Sequence, residues 1–173
     1  MRASALGTLQ NDRLLQEVDL GKAAAKCLEL LEDEDPSVRA SALGTLQNDR
    51  LLQEVDLGKA AAKCLELLED EDPSVRASAL VTLRNDRLLQ EVDLGKAAAK
   101  CLELLEDRDP RVRASALVTL RNDRLLQEVD LGKAAAKCLE LLEDEDPSVR
   151  ASALVTLRND RLLQEVDLGK AAA

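Results

Sequence analysis

The 173-residue chain is one Met followed by four copies of a 37-residue unit and a 24-residue piece of a fifth. It holds no Trp, Tyr, Phe, His or Ile, its 46% apolar content is almost all Ala, Leu, Val and Cys, and its net charge is −10. Without His the usual near-neutral proton shuttle and the commonest metal ligand are missing. Without aromatics there are no stacking platforms for bases or sugars, and an acidic chain repels phosphate. No 18-residue apolar run is present, and Met1-Arg2-Ala3 does not begin a signal peptide. The expectation is therefore no catalytic, cofactor-binding or metal-binding residues, no cofactor, and no nucleic-acid or membrane partner. The compartment is unspecified, with the cytoplasm as the default.

The period sets the organisation. Pro36, Pro73, Pro110 and Pro147 are evenly spaced, and so are Cys27, Cys64, Cys101 and Cys138. Repeats run 2–38, 39–75, 76–112 and 113–149, with a partial repeat 150–173, and they are expected to form a single domain over 1–173. Four positions per unit vary. Gly7 and Gly44 become Val81, Val118 and Val155; Gln10 and Gln47 become Arg84, Arg121 and Arg158. Arg108 replaces Glu34, Glu71 and Glu145, and Arg111 replaces Ser37, Ser74 and Ser148. Such uniformity fits a recent tandem amplification or an array built from one idealised unit, and the second is the expectation. Successive repeats carry net charges of −4, −4, 0 and −3, and the final piece carries +1.

Within one unit, Asp72 and Pro73 read as a helix start, since Asp caps free N–H groups and Pro is tolerated at the first helical position. Val75, Ala79, Leu80 and Leu83 then form an apolar stripe of helical period. Asn85 tolerates a left-handed helix end, and Asp86 is positioned to cap the next helix. Leu88, Leu89 and Val92 bury one side of about two turns. Leu94, Ala98, Cys101, Leu102 and Leu105 mark a strong amphipathic helix, with Lys96, Lys100, Glu103 and Asp107 opposite. A break near Asp93–Gly95 predicts three helices per repeat. A bent two-helix hairpin is the alternative.

The run Asn85–Gly95, then Ala97–Leu105, then Asp109-Pro110-Arg111-Val112-Arg113 resembles armadillo repeats, and its Asp-Pro-x-Val-Arg opening also resembles HEAT repeats. The resemblance covers essentially the whole chain. It implies an all-α fold, a right-handed α-solenoid of 37-residue armadillo/HEAT-like repeats. It further implies a protein-binding concave face lined by the third helix, and an Asp–Arg ladder between repeats, read here as Asp72 with Arg76. The third helix departs from armadillo proteins in offering Ala77, Ser78, Val81, Thr82 and Arg84 where those proteins use an Asn to grip an extended peptide.

Each candidate for chemistry has a structural reading. The Cys residues lack Cys-x-x-Cys spacing and are expected as small buried hydrophobes, too far apart to pair. The acidic runs Glu32–Asp35, Glu69–Asp72 and Glu143–Asp146 lack the Gly-containing loop of a calcium site and read as solvated turns. Ser41 and Ser78 have no nucleophile elbow. Ser37 and Gly44 are seven apart and Gly44 and Gln47 three apart, so these varying positions share one helical face, and the alternative is that Gly→Val and Gln→Arg simply raise helix stability. A possible concave interaction surface therefore comprises Ser37, Gly44, Gln47, Ser74, Val81, Arg84, Arg111, Val118, Arg121, Val155 and Arg158.

The expected function is an idealised helical-repeat scaffold with no native catalytic activity and a tendency to associate head to tail. The alternative is a natural protein-binding adaptor. Partners would be a second copy or a protein or peptide. Repeat arrays stay monomeric when their end units present a polar face. Here Leu6 and Leu9 at one end, and Leu162, Leu163, Val166 and Leu168 at the other, are copies of residues that elsewhere a neighbour covers. An acidic start facing a cationic end adds an attraction that salt screens.

Overall fold

A computed structural model describes residues 19–172, with side chains through Gly169. The regular structure of these residues is all helical, without strands, and they form two compact units that divide between Val92 and Asp93. The first holds α1 (Leu20–Leu30), α2 (Pro36–Thr45), α3 (Asp49–Leu52), α4 (Leu57–Leu67), α5 (Pro73–Thr82) and α6 (Asp86–Leu89). The second holds α7 (Leu94–Leu104), α8 (Pro110–Thr119), α9 (Asp123–Glu128), α10 (Leu131–Leu141), α11 (Pro147–Thr156) and α12 (Asp160–Ala172). A full repeat thus has three helices: a short first one, an 11-residue second one and a 10-residue third one opened by Pro.

Every internal helix start is capped by the side chain before it. Asp35, Asp72, Asp109 and Asp146 accept from the backbone N–H two residues on, each at 2.8 Å. Asp56, Asp93 and Asp130 accept from Lys59, Lys96 and Lys133 N–H at 3.0 to 3.1 Å. The short helices are capped by Asn48, Asn85 and Asn122, each accepting from the N–H of the following Arg at 3.0 Å. This corrects the expected roles at that junction. Asn85 is extended, at φ −69°, and is itself the cap, while Asp86 is the first helical residue. No described residue has a positive φ. The break expected near Asp93–Gly95 is present, with Asp93 as the cap, and Gly95 is not what makes it. It lies within the first turn of α7, where an added Cβ would meet only Asp93 Oδ1 at 3.4 Å, an ordinary contact. The break is made by the Asp93 cap.

Packing is the same in both units. Each second helix rests on the third helix that comes after it: α1 on α2 and α4 on α5 in the first unit, α7 on α8 and α10 on α11 in the second. It also meets the first helix of the next repeat, as α1 meets α3 and α7 meets α9. Successive third helices lie together, α2 with α5 and α8 with α11. The expected stripe is buried: Val75, Ala79, Leu80, Leu88, Leu89, Ala98, Cys101 and Leu105 are fully covered. Fully burying a Leu contributes about 2 kcal/mol, so a small set of aliphatic side chains suffices when repeated.

Two polar links tie neighbouring repeats. Arg39 holds Asp70 bidentately, Nε to Oδ2 at 2.9 Å and Nη2 to Oδ1 at 3.0 Å, and its Nη1 donates to the Asp33 and Glu34 carbonyls. Arg113 holds Asp144 in the same way, both bonds at 2.9 Å. The ladder acid is therefore Asp70 or Asp144, two residues before the expected one, because Asp72 and Asp146 are committed to their caps. Arg76, like Arg39 and Arg113, donates through Nη1 to the carbonyls of the preceding turn, here Asp70 and Glu71. The acidic turns, read from sequence as solvated, thus supply both a cap and an ion pair. The second link is a buried hydroxyl. Thr82 Oγ1 lies 2.8 Å from the Ser78 carbonyl and 3.0 Å from that of Leu43, and Thr156 repeats this toward Ser152 and Leu117.

Candidate interaction surfaces

The third helices place three of the four varying positions together on one strip in each unit, while Glu34, Glu71, Arg108 and Glu145 lie in the turn before the cap. In the first unit, Ser37 and Gln47 on and beyond α2 are exposed and Gly44 is half-buried. On α5, Ser74 and Val81 are half-buried, and Arg84 beyond it is exposed. In the second unit, Arg111, Arg121 and Arg158 are exposed, and Val118 and Val155 are half-buried. Between these positions run small half-buried residues, Ala77 and Ser78 or Ala114 and Ser115. The helical period explains the arrangement, since steps of three, four and seven residues stay on one face while Val112, Ala116 and Leu117 point inward. Gln47 Nε2 reaches Thr82 Oγ1 at 3.4 Å, so one strip residue also supports the hydroxyl link.

Electrostatically the two strips differ. The second unit's carries three arginines. Arg111 folds onto its own helix cap, Nη2 to Asp109 Oδ2 at 2.9 Å and Nε to Oδ1 at 3.1 Å. The Arg111 side chain holds the Asp109 carboxyl below the ordinary carboxylate range, against a smaller opposing effect of burial. Arg121 and Arg158 project from the ends of α8 and α11.

A different face carries shallow grooves between successive second helices. One of about 480 Å³ lies between α1 and α4, lined by Ala25, Leu28, Glu32, Lys59, Lys63 and Glu66 among others. One of about 490 Å³ lies between α7 and α10. A lysine bridges each: Lys63 to Glu32 at 3.1 Å and Glu66 at 3.0 Å, Lys137 to Glu106 at 2.6 Å and Glu140 at 3.0 Å. Hydrogen bonding to Glu106 raises the Lys137 ammonium above its usual range, and burial opposes this.

The third surface is the end of the second unit. Leu154 is 60% exposed, Leu163 44%, Leu168 63% and Leu139 41%. A groove of about 530 Å³ runs beside them between α10 and α12, lined by Gly132, Ala135, Ala136, Leu139, Glu165, Val166, Leu168 and Gly169. Sequence reasoning named Leu163 and Leu168 but missed Leu154 and Leu139. The signal was available, because Leu154 is the copy of Leu43, Leu80 and Leu117, which are fully buried. Leu162 was named wrongly: like Leu51, Leu88 and Leu125 it points inward and is fully buried, and Val166 is half-buried. Leu6 and Leu9 lie outside the described residues.

Residues 23–121 match the family model of HEAT repeats, and residues 139–157 match that of a HEAT repeat associated with sister chromatid cohesion. The chain belongs to the HEAT repeats. Among solved structures it is similar to a designed armadillo repeat protein in complex with the peptide (KR)4, at 19% identity and TM-score 0.72, covering 96% of this chain and 82% of that one. It is also similar to an engineered protein, at 26% identity and TM-score 0.68, covering 97% and 86%. Computationally designed armadillo repeat proteins for modular peptide recognition match at 17% identity and TM-score 0.64, covering 98% and 88%. No curated protein matches.

In this HEAT-repeat chain the four thiols are free and buried. Burial pushes Cys27 and Cys138 up to about 11 and Cys64 and Cys101 up to about 12. A thiol so placed is a packing group rather than a nucleophile. Among the described residues no group of three or more Cys, Asp and Glu is arranged to hold a metal ion. No described helix is long and apolar enough to cross a membrane.

Proposed function

We propose that the chain is an idealised repeat scaffold without catalytic activity. It offers its third-helix strip to a protein or peptide segment and joins copies of itself through its uncovered end. One observation carries the reading. Every described position at which the repeats differ is exposed or half-buried, while the capping, ladder and hydroxyl residues are invariant. Variation is thus confined to places that tune a surface without altering the stack. The likeness to engineered repeat proteins supports the scaffold, and the peptide complex of one of them supports a peptide-sized partner.

The cationic strip of the second unit favours an acidic segment. Fluorescence anisotropy with an oligo-glutamate peptide and with (KR)4 tests this. The acidic peptide binds more tightly, Arg121→Glu with Arg158→Glu removes the preference, and salt weakens it. Equal binding of both peptides overturns the strip reading. For the end, light scattering shows a mass that rises with concentration, and a constant monomer mass at millimolar concentration overturns self-association.

A further inference from the structure

The second helices carry their exposed charges in a fixed order. On α10, Lys133 lies in the first turn, Ala136 comes three residues on and Glu140 lies in the last turn, and all three are exposed. On α4 the same order is Lys59, Ala62 and Glu66, again all exposed. Steps of three and four residues keep them on one side of the helix, where they form a ridge. The same residues line the groove beside that ridge. It measures about 490 Å³ between α7 and α10, with Ala99, Leu102 and Ala136 as its apolar part, and about 480 Å³ between α1 and α4.

We infer that this ridge and groove dock a second copy of the chain, the α10 ridge of each copy lying antiparallel in the groove of the other. The contact is separate from the uncovered end proposed above and does not depend on it. The order of charges identifies the occupant. A helix rises about 1.5 Å per residue, so Lys133 stands about 4.5 Å before Ala136 and Glu140 about 6 Å after it. A two-fold axis passing beside Ala136 therefore sets Lys133 of each copy beside Glu140 of the other. A parallel arrangement would set lysine on lysine and glutamate on glutamate. The ridge is thus complementary to itself in one direction only, and such an isologous contact closes as a pair.

The groove suits such a ridge. Ala136 stands between the two charges, and a small side chain at the contact lets helices approach to about 8 Å. Leu102 is half-buried within the chain and gains cover from an arriving helix. Lys137 already binds Glu140 at 3.0 Å, but the Glu140 side chain remains 68% exposed, and a carboxylate has about four acceptor sites. It can therefore take a second ammonium without releasing the first. The α1–α4 groove has the same lining, with Lys59 and Glu66 in the corresponding places, so each unit offers this surface.

The test is light scattering over a concentration series at about 0.15 M salt, where screening beyond about 8 Å mutes the net charge of −10. Two variants each reverse one end of the ridge in both units: Lys59→Glu with Lys133→Glu, and Glu66→Lys with Glu140→Lys. All four side chains are exposed, so both variants fold, and circular dichroism checks this. Each variant alone sets like charges together, and its dissociation constant rises about tenfold. An equal mixture of the two recovers the wild-type value, because every reversed side chain then meets an opposite charge. Ala62→Glu with Ala136→Glu holds the ridge off the apolar floor and abolishes the contact, whereas Leu154→Glu leaves it intact. A mixture that shows no recovery overturns the antiparallel ridge. Association lost in Leu154→Glu but kept in the alanine variant also overturns it, and leaves the uncovered end standing. A constant monomer mass for the wild type at millimolar concentration overturns both.

Discussion

Residues 121–136 and 158–173 are the same sixteen residues in the same order, yet they fold differently. The internal copy is a helix, a capped break and a second helix, while the other runs on as one helix through Ala172. Local preference is thus close to balanced at Val-Asp-Leu-Gly. The Asp cap favours a break, and the hydrogen bonds of a continuous helix favour none. In the internal copy the second helix, α10, rests on the third helix α11. The shorter first helices α3 and α6, each four residues, show the same sequence yielding sooner.

The largest way to sharpen this comparison is through leucines in equivalent places. Leu126 is fully buried and Leu163 is 44% exposed. Leu126→Ala costs about 3 kcal/mol, while Leu163→Ala costs under about 1 kcal/mol, read as urea midpoints. Equal losses would mean that the end is covered.

Next comes the ladder. Arg113 and Asp144 are paired with side chains only 13% and 8% exposed. Arg150, one repeat on, donates only to the Asp144 and Glu145 carbonyls, at 2.8 and 3.0 Å, with no ion pair to a described carboxylate. Asp144→Asn costs about 2 kcal/mol by thermal or urea unfolding, whereas Arg150→Met costs about 0.5 kcal/mol. Hydrogen bonding from Arg113 holds the Asp144 carboxyl below its ordinary value. Its stabilisation is therefore complete above the unfolded carboxylate range, near pH 4, and is lost as pH falls through the lower folded value. Urea titrations between pH 7 and 2 should show that loss in the wild type and less of it in Asp144→Asn.

The caps give a change of sign. Asp130→Ala removes the bond to Lys133 N–H and costs about 1 kcal/mol. Asp167→Ala in the monomer replaces a poor mid-helix residue and gains a few tenths of a kcal/mol. Two losses of equal size would show that α12 is already broken in solution. The smallest effect is at the half-buried Gly44. Gly44→Val, the residue already at position 81, raises stability by a few tenths of a kcal/mol, seen as slower amide exchange over residues 39–46.

The three-helix repeat was legible because period and caps agree. Asp72-Pro73 opens α5 and the stripe from Leu94 to Leu105 describes α7. Three details were not legible, each for a physical reason. Asp70 and Asp72 are the same residue type two apart, so which one caps and which one pairs depends on where Arg39 of the preceding repeat reaches. Asn85 can end one helix or begin another, and only the backbone settles which. The exposure of Leu154 cannot be read from its neighbours in sequence, which match those around the fully buried Leu80. Helical spacing alone puts the positions of Ser37, Gly44 and Gln47 on one face, and the chemistry offered there is mostly small side chains and arginine.

The four buried thiols have a consequence for measurement. Cys27, Cys64, Cys101 and Cys138 occupy the same position in successive repeats and are equally covered, with ionisation displaced to between about 11 and 12. At neutral pH each reacts with a thiol reagent only while its own repeat is open. The chain therefore carries a built-in reporter in each repeat. Labelling rates of four variants, each keeping one cysteine with the other three replaced by Ala, yield a map of opening free energy along the array.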